Sequence, residues 1–136
     1  MEKEALIKIF KDKRKRIDGR TGKIKQGFEY ANIEDFEKWF AQSNFDKGCY
    51  YCGTTNQQCE QMFNMQRNGN RHDATRGGKR GKRLELDRKN PELPYDQLDN
   101  IVWCCYWCNN AKSNFFTETE FAPIAKAIGE ALSKLK

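Results

Sequence analysis

Four of the six cysteines fall into two C-x-x-C pairs. Cys49-Tyr50-Tyr51-Cys52 is followed by Gly53, and Cys105-Tyr106-Trp107-Cys108 by Asn109. Two intervening residues let both thiolates of a pair converge on one ion, so each pair can clasp one edge of a tetrahedron. Two such pairs in a chain of 136 residues predict one structural zinc shared by Cys49, Cys52, Cys105 and Cys108. The plain alternative is four reduced thiols buried in a core. Cys104 competes with Cys105 for the same ligand position, but the spacing favours Cys105. In a strand, Cys104 faces away from Cys105 and into the core. Cys59 reads as an ordinary small apolar residue.

The rest of the composition bounds the class of protein. The length fits one domain. Apolar residues make up 38% and charged residues 32%, as in a globular domain with a modest core. No apolar run approaches the roughly 20 residues of a membrane helix, so no membrane partner is expected. The start, MEKEALIKIFKDKRKR, is too charged for a secretion signal. A reducing, cytoplasmic compartment is therefore expected, and disulfides are disfavoured. The net charge is +6, unevenly spread. Residues 1–27 hold ten bases and four acids, and residues 67–90 hold nine bases and three acids. Two basic segments on an otherwise acidic chain suggest a footprint for a polyanion, against the plain alternative of two solvated charged stretches.

Several elements must position these groups. Residues 3–16 read as a basic amphipathic helix with Leu6, Ile9 and Phe10 on one face. Gly19, Gly22 and Gly27 then break the chain into a loop or hairpin. A second helix is predicted over about 33–42, with Asn32 as N-cap and Asp35 three residues on in capping-box fashion. Its stripe of Ile33, Phe36, Trp39 and Phe40 is core rather than a binding site. The first cysteine pair follows in a knuckle. Residues 53–66 contain a short helix carrying Met62, Phe63 and Met65. Residues 67–83, RNGNRHDATRGGKRGKR, have four glycines and no apolar periodicity, and read as a basic loop. Leu84-Glu85-Leu86-Asp87-Arg88 alternates like a strand. Pro91 and Pro94 mark a loop, and Ile101-Val102-Trp103-Cys104 is a second strand. A short helix over 106–114 opens at the second cysteine pair. Thr117 and Glu120 form a capping box for a last helix, with Phe121, Ile124, Ile128, Leu132 and Leu135 on one face. Pro123 near its first turn is expected to kink it.

Knuckle, strand ending in an acid, loop, strand, and helix opening at the second pair: this order resembles the HNH, or ββα-metal, endonuclease family. It is most similar to small zinc-stapled HNH restriction enzymes, which carry a similar Asp-Arg pair where most members have Asp-His. The residues that carry the resemblance are CYYCG, LELDR, Asn100 within LDNIV, and CCYWCNNAKSN. It covers about residues 47–116 well and the flanks loosely. The implied fold is α+β, a zinc-stapled ββα-metal core with flanking N- and C-terminal helices. Residues 1–136 would then form a single nuclease domain. Residues 1–46 are a helical basic extension, 47–116 the core with its basic Gly-rich arm 67–83, and 117–136 a C-terminal helix.

The resemblance also implies a site. Asp87 and Asn109 would hold one catalytic divalent ion, Mg2+ or Mn2+, and two oxygen ligands suit such a hard ion. The plain alternatives are a surface ion pair from Asp87 to Arg88 or Lys89, and a helix-cap role for Asn109. Asn100 would order the loop. Arg88 stands where the family usually places a histidine base. Arginine stays protonated, so Arg88 can clamp a scissile phosphate but cannot accept a proton. The base is thereby left open between His72, a tyrosine (Tyr30, Tyr50, Tyr51 or Tyr95) and a water deprotonated without a side-chain base. His72 is the sole histidine and lies 15 residues before Asp87. Arg76, Lys79, Arg80, Lys82 and Arg83 are placed to bind nucleic-acid phosphates. Lys112, one turn after Asn109, is expected at the phosphate or in solvent, with the phosphate favoured. Lys11, Lys13, Arg14, Lys15 and Arg16 would grip flanking duplex. No residue for base readout is identifiable.

The expected function is hydrolysis of phosphodiester bonds in double-stranded DNA. One rival is a zinc-stapled nucleic-acid-binding module without catalysis, and another is an HNH-type ribonuclease. A homodimer is an open option, because one active site cuts one strand and a two-fold pair would cut both.

Overall fold

The computed structural model describes residues 1–135. The chain runs α1 (Lys3–Asp12), a small ribbon of β1 (Arg16–Ile17) and β2 (Ile24–Lys25), α2 (Ile33–Gln42) and α3 (Asn56–Arg67). Then come β3 (Glu85–Arg88), a 3-10 turn at Leu98–Asn100, β4 (Ile101–Cys104), α4 (Tyr106–Lys112) and α5 (Glu118–Ser133). β3 pairs antiparallel with β4, placing Glu85 opposite Cys104 and Asp87 opposite Val102. α4 starts one residue beyond β4 and runs back along β3. This is the expected ββα unit, within an α+β molecule of five helices and two two-stranded sheets among the described residues. Among those residues no helix is long and apolar enough to cross a membrane.

A two-stranded sheet with one helix buries too little to stand alone. An aromatic cluster supplies the missing core. Trp103 of β4 is fully buried against Trp39, Phe40 and Phe45, at ring separations of 5.8, 6.1 and 5.0 Å. Phe10, Phe28 and Phe36 extend the cluster to α1 and α2. The stripe of α2 is thus core, as its spacing implies. Two asparagines splice irregular chain onto the strands. Asn44 donates 2.8 Å bonds to the carbonyls of Trp103 and Gly48 and accepts from the Trp103 amide. Asn56 accepts from the Leu84 amide and donates to the Phe45 carbonyl.

The helix starts follow local chemistry. Asn32 accepts from the Asp35 amide, and both Thr55–Gln58 and Thr117–Glu120 form reciprocal capping boxes. α5 continues past Pro123, so the anticipated kink does not interrupt it. The first helix is shorter than its amphipathic pattern: it ends at Asp12, not residue 16. Here ribbon pairing displaces helix pairing, with Phe28 N–H bound to the Lys13 carbonyl and Lys15 N–H to the Phe28 carbonyl. Gly27 permits the approach, because any side chain there would collide with the Lys13 carbonyl. The helix at the second cysteine pair likewise ends at Lys112 instead of 114, as Ser113 turns to a positive φ of 49°.

Candidate metal centre and active site

Cys49, Cys52, Cys105 and Cys108 converge, with their Sγ atoms all within 4.8 Å of one another. Zn–S bonds of about 2.3 Å would put tetrahedral sulfurs about 3.8 Å apart. The Cys52–Cys105 Sγ separation is 3.7 Å. Interaction with the neighbouring thiols, Cys105 first, holds the Cys52 thiol below its ordinary value and pushes that of Cys108 up. Four adjacent thiols cannot all ionise unaided, and a divalent soft ion resolves the conflict. The residues therefore fit zinc. The first knuckle closes with the Gly53 N–H on the Cys49 carbonyl at 2.8 Å and Gly53 at φ +80°. Cys105 caps α4 by accepting from the Cys108 amide. α5 covers the knuckle: a Cβ on Gly129 would stand 3.0 Å from the Cys52 carbonyl. Cys104 and Cys59 are buried outside the cluster, as their readings require.

The strand alternation directs Glu85 and Asp87 toward the same helix. Asp87 is 6% exposed. Its Oδ2 accepts from the Tyr51 hydroxyl at 2.5 Å and lies 3.2 Å from Lys112 Nζ. Burial pushes the Asp87 carboxyl above its ordinary value, against the opposing pull of Tyr51, Lys112 and Arg88. Its Oδ1 accepts no hydrogen bond among the described residues. Among the described residues no buried side-chain oxygen lacks a partner, so Oδ1 keeps contact with solvent. Asn109, half-buried on α4, donates from Nδ2 to Glu85 Oε1 at 3.0 Å. A carboxylate only accepts, so this contact fixes the amide orientation and leaves Asn109 Oδ1 free. Two acceptor oxygens, one carboxylate and one amide, are thus open on facing elements, and that donor set fits a hard divalent ion.

Lys112 requires a correction. It was expected to reach a phosphate or solvent, but it is fully buried. Its ammonium donates to the Arg88 carbonyl at 2.6 Å and pairs with Asp87, so it braces β3 against α4. Arg88 is 7% exposed, with its guanidinium 4.8 Å above the Tyr95 ring. Its nitrogens contact the Leu93 carbonyl and Asn114 Oδ1, both at 3.3 Å. Asn100 clasps the loop by exchanging 3.0 Å bonds with the Asn90 N–H and C=O.

The base candidates separate by place. His72 is exposed on the arm. The arm's side-chain hydrogen bonds run to Gln66 of α3, to Leu84 and Glu85 at β3 and to Tyr106 of α4, and none reaches Asp87. Tyr30 is exposed, Tyr50 donates to Glu118, and Tyr95 lies under Arg88. Tyr51 alone of these touches Asp87, and burial followed by the Asp87 charge raises its phenol well above 10.

The arm cations line a cleft of about 920 Å³. Its lining includes Lys79, Arg80, Lys82 and Arg83 of the arm, Asp12 and Lys13 of the N-terminal region, and Glu85, Leu86 and Asn109 of the ββα unit. Arg80 is partly committed, forming a two-point pair with Glu85 at 2.5 and 3.1 Å. Arg76 is exposed on the arm, outside the cleft.

Glu85 was missed in the sequence, although period-2 alternation puts it on the Asp87 face and α4 carries Asn109 and Lys112 at i, i+3. Those spacings pair 85 with 109 and 87 with 112.

A solved structure of the rare-cutting HNH restriction endonuclease PacI, described in terms of DNA perturbation, is similar to this chain. The identity is 23% and the TM-score 0.58, over 76% of this chain and 66% of that one. The chain thus spans just under two thirds of that protein. No family model and no curated protein matches the sequence. At this identity the likeness shows the fold: the chain has the ββα-metal fold seen in that structure.

Proposed function

We propose that the chain is a metal-dependent endonuclease that hydrolyses phosphodiester bonds in double-stranded DNA. The observation that carries this reading is the pair of open oxygens, Asp87 Oδ1 and Asn109 Oδ1, on facing elements of the ββα unit. The solved relative's description as a DNA-cutting enzyme supports it. Asp87 and Asn109 would hold Mg2+ or Mn2+, and such an ion supplies charge that polarises a phosphate and stabilises a leaving oxygen. The remaining work falls to the chain. Arg88, held by Leu93, Asn114 and the Tyr95 ring, would clamp the scissile phosphate. Lys112 fixes the β3–α4 spacing. Tyr51 is the titratable hydroxyl in contact with Asp87, and His72 acts at most from the arm. Lys79, Lys82, Arg83 and Arg76 supply phosphate contacts, with Arg80 shared between Glu85 and the cleft. Zinc on the four cysteines holds the unit together.

The non-catalytic rival is favoured by one observation, the Asp87–Lys112 pair that already occupies one carboxylate oxygen. A substrate panel decides. Zinc-replete protein is incubated with supercoiled plasmid and with structured RNA, without added metal and with magnesium or manganese. Metal-dependent nicking of plasmid supports the proposal. Cleavage of RNA alone assigns a ribonuclease, and binding without cleavage assigns the module.

A further inference from the structure

The ribbon of residues 14–26 has no role in the site described above. Every residue in it is exposed except half-buried Asp18. It carries six cations, Arg14, Lys15, Arg16, Arg20, Lys23 and Lys25, against one acid, Asp18. At its centre Ile17 pairs directly with Ile24, and the two are 70% and 57% exposed. An exposed cross-strand isoleucine pair serves no core.

The ribbon is also preformed. Asp18 accepts from the backbone amides of Arg20 and Thr21, its own N–H binds the Lys23 carbonyl, and its carbonyl receives the Gly22 N–H at φ +70°. Those amides hold the Asp18 carboxyl below its ordinary value. Arg16 is tied back to the Asp12 carbonyl and Lys25 to Asp18. Among the described residues the Arg20 and Lys23 side chains, flanking the turn, have no hydrogen-bond or ion-pair partner.

Its root lies at the candidate site. Lys13 stands 4.6 Å above the Tyr95 ring that also carries Arg88 at 4.8 Å. Lys13 also lines the basic cleft. The amides of Glu29, Tyr30 and Ala31, just beyond the ribbon, all bind the Asp96 carboxylate. The ribbon therefore leaves the body beside the Asp87–Arg88 end of β3.

We propose that the β1–β2 ribbon is an arm that enters a groove of the DNA duplex, with Arg20 and Lys23 on phosphates and Ile17 and Ile24 against base edges. The inference rests on the DNA reading given above. Charge selects the partner: a polyanion matches the cations, and the apolar pair between them suits the thymine methyls exposed in the major groove. Size agrees, since two strands about 4.8 Å apart with side chains fit a groove about 12 Å wide. Two-stranded ribbons are an established way of reading a groove.

The test is fluorescence anisotropy of a labelled duplex at several salt concentrations, without added magnesium or manganese. It compares wild type, Arg20→Ala/Lys23→Ala and Ile17→Ser/Ile24→Ser, with zinc content and circular dichroism checked for each. The cation variant should bind at least tenfold more weakly, and the slope of log affinity on log salt should shrink by about 2. The serine variant should keep the slope and lose its preference among duplex sequences. Folded variants that match wild type within twofold at every salt overturn the inference. So does a serine variant that only turns a dimer into a monomer in sedimentation, or only abolishes binding to anionic vesicles. Plasmid nicking by wild type is scored in parallel. If wild type binds and cuts but both variants behave as wild type, the ribbon inference fails alone; if wild type neither binds nor cuts, the nuclease reading fails with it.

Discussion

Lys112 Nζ lies 3.2 Å from Asp87 Oδ2 and donates at 2.6 Å to the Arg88 carbonyl, with side chains 0% and 8% exposed for the ion pair. A lysine in the last turn of a seven-residue helix thereby becomes the strut between that helix and β3. Removing one member of a buried pair strands the other, at a cost of about 3–5 kcal/mol. Lys112→Met should lose about that much in urea denaturation of zinc-replete protein. Adding Asp87→Asn should recover part of the loss, because the stranded charge is gone. A loss below about 1 kcal/mol in the single variant would show that the pair is not the strut.

Glu85 aims Asn109. Its carboxylate holds the amide nitrogen and is itself held by Arg80. Glu85→Leu leaves Asn109 free to rotate. Disturbing a group that orients a metal ligand typically costs about 10–100-fold. Plasmid nicking should fall by that range and the need for magnesium should rise, with zinc content unchanged. Equal rates at low magnesium would mean that Asn109 does not need its anchor.

Zinc should be inseparable from the fold. Cys105 is both a cluster member and the cap of α4. Cys105→Ala, or chelation of wild type, should abolish the cooperative unfolding transition. Elemental analysis of intact protein should give one zinc per chain. A chelated protein with a native circular dichroism spectrum would contradict the staple.

Gly129 lets α5 lie on the first knuckle, since an added Cβ meets the Cys52 carbonyl at 3.0 Å and the Cys52 Cβ at 3.1 Å. One neighbour is a backbone oxygen and the other the Cβ of a cysteine in the four-thiol cluster, and neither moves aside cheaply. Gly129→Val should cost about 1–3 kcal/mol and speed zinc release to a chromogenic chelator. Ala131→Val on the same helix is the control.

Asp96 gives a pH signature. Despite opposing desolvation, three backbone amides hold its carboxyl below the ordinary value. A depressed carboxylate contributes stability above its unfolded pKa, and this is lost as pH falls through the lower folded value. The stability difference between wild type and Asp96→Asn should therefore be full at pH 6 and shrink below about pH 4. A difference independent of pH would assign the effect to packing.

Much of this was legible because local spacing and chemistry agree. The C-x-x-C pairs, the Asn32 and Thr117 caps and the alternating LELDR strand each carry their own physical cause, and each is found where its spacing puts it. What escaped depends on distant partners. Asn44 and Asn56 look like ordinary polar residues until their partners Trp103 and Leu84, 59 and 28 positions away, are known. Lys112 looks bound for a phosphate or for solvent, because burial of a lysine depends on a carboxylate and a carbonyl from another element. The early end of α1 is set by Gly27 and Phe28, which pair with the chain that would have continued the helix.

The most direct test of the account is the rate of plasmid nicking by zinc-replete Asp87→Asn and Asn109→Ala beside wild type, at matched magnesium and manganese. The account predicts that wild type nicks only with added metal. Each variant should fall at least 100-fold while retaining its zinc and its circular dichroism spectrum. Nicking by either folded variant at the wild-type rate would contradict the assignment of Asp87 and Asn109 as the site at which DNA is cut.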